Sequence, residues 1–98
     1  RIISMPSQQL QCDVLIINKL GLHARAATKL VTTASRFRSE ITIGRNKDNL
    51  VNCKSIMGIM MLAASKGTTL ILDIHGPDAL EAQKSILSLI QKCFGEGE

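Results

Sequence analysis

A chain of 98 residues has the length of one domain, and its 45% apolar content is enough for a folded core. Phe37 and Phe94 are the only aromatics, so that core has to be aliphatic. The net charge of +4 comes from scattered residues, and no Tyr or Trp is present to stack on bases, which sets nucleic acid aside in favour of an anionic ligand or an acidic protein partner.

At the N-terminus, Met5 reads as the natural start, with residues 1–4 extraneous and residues 1–10 a polar, frayed beginning. Residues 11–17 are rich in branched side chains and read as a strand. Asn18 to Leu22 form a loop that turns at Gly21. A helix follows from about Ala24 to Arg36. Its apolar stripe is Ala27, Leu30, Val31, Ala34 and Phe37, and Arg36 and Arg38 lie near its C-terminal end.

Ile41 and Ile43 alternate with Glu40 and Thr42, the pattern of a half-buried strand over 39–44. A turn at 45–49 leads to a second strand at 49–53, so 39–53 reads as a hairpin. Ser55 to Ala64 reads as a short helix, with Ser55 as N-cap and Lys66-Gly67 closing its end. The last strand is 68–75. After Gly76-Pro77, Asp78 is expected to cap a final helix, with Glu81 as its capping-box partner. The inward stripe there is Ala79, Ala82, Ile86, Leu87, Ile90 and Phe94, and the chain is expected to fray from Gly95. Strand, helix, strand, strand, helix, strand, helix in that order predicts an α+β domain of two layers, an antiparallel sheet covered on one face, occupying 1–98 as a single unit.

No apolar run reaches the ~18 residues of a membrane span. No signal peptide is recognised. Cys12, Cys53 and Cys93 are odd in number and lack Cys-x-x-Cys spacing. They read as buried thiols in a reducing compartment, with neither a disulfide nor a metal site expected. A cytoplasmic protein with no cofactor is the expectation.

Three features could carry chemistry. His23 stands where a loop enters a helix. The first amides of a helix lack intrahelical partners and, with the dipole, favour an anion. An imidazole there can take a phosphoryl group, and Arg25 can supply a charge-assisted donor. The competing reading is a surface histidine that caps the helix, and local pattern alone favours it. Ser55 reads first as a structural N-cap and second as a phosphorylation target, since a phosphate is tolerated at a helix N-terminus. In the short helix, Ile56, Met57, Ile59, Met60, Met61 and Leu62 leave almost no polar face. Some of them should be exposed and mark a partner site. Asp73 and His75 lie on a strand with no catalytic companion. No Gly-rich phosphate loop or Ser-His-Asp set occurs, which argues against a self-contained enzyme.

The run Asn18-Lys19-Leu20-Gly21-Leu22-His23-Ala24-Arg25 resembles the active-site motif of the HPr family, the histidine-containing phosphocarriers of the bacterial sugar phosphotransferase system. Lys54-Ser55-Ile56-Met57-Gly58-Ile59-Met60 resembles that family's regulatory-serine segment, and Ala64-Ser65-Lys66-Gly67-Thr68 the turn after it. The similarity covers about residues 10–95. It implies an open-faced β-sandwich with four antiparallel strands and three helices on one face. It implies that His23 takes phosphate at Nδ1 from phosphorylated Enzyme I, charged by phosphoenolpyruvate, and passes it to A-type proteins of the system, with Arg25 assisting.

Ser55 would be the site of an HPr kinase/phosphorylase. Ala24, Thr28, Ile56, Met57 and Met60 would form the docking surface of a monomer. Ala26 stands where many family members carry Pro, which restores a backbone N–H in the first helical turn. In this it resembles proteobacterial variants whose phosphotransferase systems are incomplete and regulatory. The alternative reading is a regulatory binding module, similar to the nitrogen-branch relative NPr, acting in carbon or nitrogen control.

Overall fold

The computed structural model describes residues 7–97. The expectations for Met5 and residues 1–4 lie outside the described residues. The elements are β1 (Gln8–Leu15), α1 (Ala24–Ala34), β2 (Glu40–Gly44), β3 (Leu50–Asn52), α2 (Ile56–Met61), β4 (Thr69–Gly76) and α3 (Ala79–Gln91), followed by a 3-10 turn at Cys93–Gly95. The strands form one antiparallel sheet in the order β1-β4-β2-β3. The fold is the expected two-layer α+β sandwich with one open face.

Alternation along the strands decides which face is covered. Leu70, Leu72 and Ile74 of β4 are buried beside Val14 of β1 and Ile41 and Ile43 of β2. The intervening Gln11, Asp13, Glu40 and His75 stay exposed. Ala26, Ala27, Leu30 and Ala34 of α1, Ile59 of α2, and Ala79, Ala82, Ile86 and Ile90 of α3 complete a continuous aliphatic core. Short alanines on α3 let it lie close to β1 and β4, and α1 packs against α2 and α3. Phe94 fills the core at one end and is fully buried.

Several expected boundaries move, each for a visible reason. β1 begins at Gln8 rather than 11, because Gln8, Gln9 and Leu10 pair with Gly76, His75 and Ile74 of β4. Gln8 and Gln9 are exposed but paired, at the end of the strand beyond the covered core. β1 also stops at Leu15, although Ile16 and Thr68 continue the ladder through one bond of 2.9 Å. α1 ends at Ala34; the Ser35 amide still bonds the Val31 carbonyl, and the Arg36 and Phe37 amides then tighten onto the carbonyls three residues back, leaving Phe37 half-buried.

α2 ends at Met61, well before Gly67. Ala63 takes the left-handed conformation (φ 48°) that ends it, and Gly67 belongs to the next turn, donating its N–H to the Ile16 carbonyl at 2.7 Å. Asp78 does not cap α3 through its side chain. Its carboxylate instead accepts from the Arg38 and Ser39 amides, both at 2.9 Å, and from Ser39 Oγ at 2.6 Å. The capping box with Glu81 therefore does not form, and Asp78 ties α3 to the start of β2. The chain does not fray at Gly95 either. Phe94 leaves the α3 stripe through a left-handed backbone (φ 55°) and anchors a turn that carries residues 95–96 back over the molecule. Of the thiols only Cys53 is buried; Cys12 and Cys93 are half-buried, and all three are free.

Candidate functional site

His23 is the N-cap of α1, with an extended backbone (φ −76°, ψ 177°) that turns the chain into the helix. The loop before it is fixed at both ends. Gly21 donates to the Asn18 carbonyl at 3.1 Å, and Leu22 donates to the Ala64 carbonyl at 2.8 Å. Gly21 is required at this point: its φ is +67°, and a Cβ there would lie 2.4 Å from the Ala64 oxygen. The segment after α2 and the loop carrying His23 are therefore one unit.

The His23 side chain makes no capping bond to α1. The amides of Ala24, Arg25 and Ala26 consequently have no intrahelical acceptor and no imidazole over them. Ala26 contributes one of these three donors, which a proline could not. The half-buried His23 ring faces an open cleft lined by Leu20, Arg25, Lys29, Gly95 and Glu96. Its Nε2 bonds Glu96 Oε2, while Nδ1 has no hydrogen-bond partner among the described residues. Arg25 is exposed and makes no hydrogen bond or ion pair among the described residues. Lys29 Nζ donates to the Phe94 carbonyl at 2.6 Å, which fixes the tail turn from below.

Glu96 is held from two sides. Asn18 is fully buried, and its Nδ2 donates both to the Gly21 carbonyl at 2.8 Å and to Glu96 Oε1 at 2.9 Å. Burial pushes the Glu96 carboxyl up. The bonds from Asn18 and His23, with the electrostatic pull of the ring and of Lys29, outweigh that and hold it below its ordinary range. Asn18, Lys29 and Glu96 are site residues that sequence reasoning missed. The one local signal was Phe94, recognised as an inward side chain but not as the anchor of a turn.

The other expected residues fall as follows. Ala24 and Thr28 are exposed on α1 beyond His23, with Thr28 Oγ1 donating to the Ala24 carbonyl at 2.8 Å. Ser55 is half-buried and is the N-cap of α2; its Oγ accepts from the Gly58 amide at 3.1 Å. Ile56 and Met60 are partly exposed, and Met57 and Met61 are 76% and 78% exposed. Only Ile59 of α2 is buried in the core. Among the described residues no group of three His, Cys, Asp or Glu side chains is placed to hold a metal ion, and no helix is long and apolar enough to cross a membrane.

A family model described as "PTS HPr component phosphorylation site" matches residues 10–92. The chain belongs to the HPr family. The phosphocarrier protein HPr of Neisseria meningitidis is 54% identical over 89 residues, which is 91% of this chain and 99% of that one. HPr-C-His from Thermoanaerobacter tengcongensis superposes with a TM-score of 0.83 at 45% identity, covering 89% of this chain and 97% of its own. A structure of an HPr dimer from the same organism gives 0.70 at 47% identity, covering 85% and 94%. The chain is thus an HPr-type phosphocarrier of the phosphotransferase system.

Proposed function

We propose that His23 is the residue that carries the phosphoryl group, accepting it at Nδ1 from phosphorylated Enzyme I and passing it to A-type proteins of the phosphotransferase system. The observation that supports this most is a His23 Nδ1 and an Arg25 guanidinium with no partner among the described residues, at the open first turn of α1. Three amides, a helix dipole and a cation at one point suit the oxygens of a transferred phosphoryl group. Phosphoryl transfer needs positioning and charge stabilisation more than covalent machinery, so an open cleft is sufficient when the partner brings the rest.

In this reading the exposed Ile56, Met57 and Met60, with Ala24 and Thr28 on the neighbouring helix, form the docking surface. Ser55 is the regulatory site of an HPr kinase/phosphorylase, because a phosphate on its hydroxyl sits at the start of α2 beside those side chains. The protein acts as a single-domain monomer in the cytoplasm. Whether the phosphate ends in sugar uptake or in nitrogen or carbon control depends on its A-type partners.

Incubation with phosphoenolpyruvate and Enzyme I tests the central claim. Intact mass should rise by one acid-labile phosphate, and the gain should vanish in His23→Ala. No gain with a competent Enzyme I from the same cell would favour a purely regulatory binding module.

A further inference from the structure

The Glu96 carboxylate meets the His23 ring at Nε2, the nitrogen far from the phosphoryl site. It is a built arrangement. Phe94 is fully buried and anchors the tail turn, Lys29 clamps the Phe94 carbonyl at 2.6 Å, and buried Asn18 holds the other Glu96 oxygen at 2.9 Å. Each of these fixes where the carboxylate can stand. A ring nitrogen facing a carboxylate is the one that keeps its proton, because the carboxylate can only accept. The opposite nitrogen is then left with its lone pair free.

We propose that Glu96 is a positioning residue for phosphoryl transfer at His23: its carboxylate accepts a hydrogen bond from Nε2–H, presents the unprotonated Nδ1 to phosphorus, and balances the ring charge that appears when the N–P bond forms. The inference rests on the carrier reading of His23. The Nδ1 lone pair makes the N–P bond, and the donor's bond to phosphorus breaks with its electron pair leaving on the donor. The Nε2 proton stays in place, so the ring becomes a phosphoimidazolium facing Glu96. On hand-over the N–P pair returns to Nδ1 and the neutral ring is restored. No proton moves in either direction. Arg25 and Glu96 line the same cleft as the ring; in this arrangement Arg25 and the first amides of α1 serve the phosphoryl oxygens while Glu96 serves Nε2.

The test compares the wild type with Glu96→Ala and Glu96→Gln, using phosphoenolpyruvate and catalytic Enzyme I. Uptake should slow by roughly tenfold in Glu96→Ala, with Glu96→Gln also slowed because an amide cannot balance the ring charge. A slowly exchanging, low-field His23 Nε2–H proton should be seen by NMR in the wild type and be lost in Glu96→Ala. Uptake at the wild-type rate in both variants overturns the proposal. Slower uptake with the Nε2–H signal unchanged overturns it too, since the tail would then act only as packing. A wild type that takes no phosphate at all is a failure of the carrier reading, visible before any variant is compared.

Discussion

Asn18 and Glu96 do together what neither could do alone. The amide is buried and spends one N–H on the loop carbonyl of Gly21 and the other on the carboxylate, so the loop and the tail are fixed relative to each other. The Glu96 carboxyl therefore has a pH dependence with a definite sign. Burial raises it, the bonds and cations around it lower it more, and its folded value lies below the ordinary 4.5. A depressed carboxyl contributes its stabilisation above the unfolded-chain value, and loses it as pH falls through the folded value. Asp78 behaves the same way, lowered against burial by Ser39 and the amides at 38 and 39.

Protection factors of the 93–96 amides, corrected for the intrinsic pH dependence of exchange, should thus be steady above pH 4.5 and fall below it. A protection factor that falls on going from acid to neutral pH would contradict the assignment. At this scale the loop-to-helix junction at His23 and the N-cap at Ser55 were legible, because each sits in a short motif with its partners a few residues away. Glu96 was not, because it meets His23 across 73 residues of chain, and its flanking glycines look like the end of a fold.

Among the elements, α2 does the most with the least. One buried residue, Ile59, holds it to the core, and a single side-chain cap at Ser55 starts it. Its methionines are free to meet a partner. Met57→Glu should leave the unfolding free energy within about 0.5 kcal/mol of wild type, as expected for an exposed site. Transfer from Enzyme I should slow by roughly tenfold if the residue lies in the docking face. Unfolding midpoints and single-turnover transfer measure the two separately.

Ser55→Asp is the complementary change. Aspartate is as good an N-cap as serine, so α2 should persist while charge enters an apolar interface. Weaker Enzyme I docking by titration calorimetry is expected, and unchanged docking would remove Ser55 from that surface. The apolar run of α2 made its exposure foreseeable. Its early end was not, because Ala63 ends it in a conformation that no glycine announced. The start of β1 was hidden for a related reason: Gln8 and Gln9 are strand residues only because β4 lies beside them.

At the scale of the whole molecule, the covered sheet face, the tail and the site share one core. Phe94 belongs to all three. Phe94→Ala should cost about 3–5 kcal/mol, the usual range for a buried aromatic. It should also release Glu96 from the ring, so denaturant unfolding and the His23 Nε2–H signal should change together. The fold class was readable from the alternation of strand and helix patterns. The strand order was not contained in any local pattern, since β1 passes over its chain neighbours to pair with β4.

That pairing has a kinetic consequence. The sheet cannot close until its first strand finds its last, with Leu15 facing Thr69 and Gln8 facing Gly76. Such distant pairings make folding slow, because loop-closure entropy is lost before any contact is gained. The His23 loop hangs directly from this ladder, at Ile16 and Thr68 on one side and Ala64 on the other. The loop therefore takes its shape only when the whole sheet does, and a chain caught midway through folding presents no formed His23 loop to a partner.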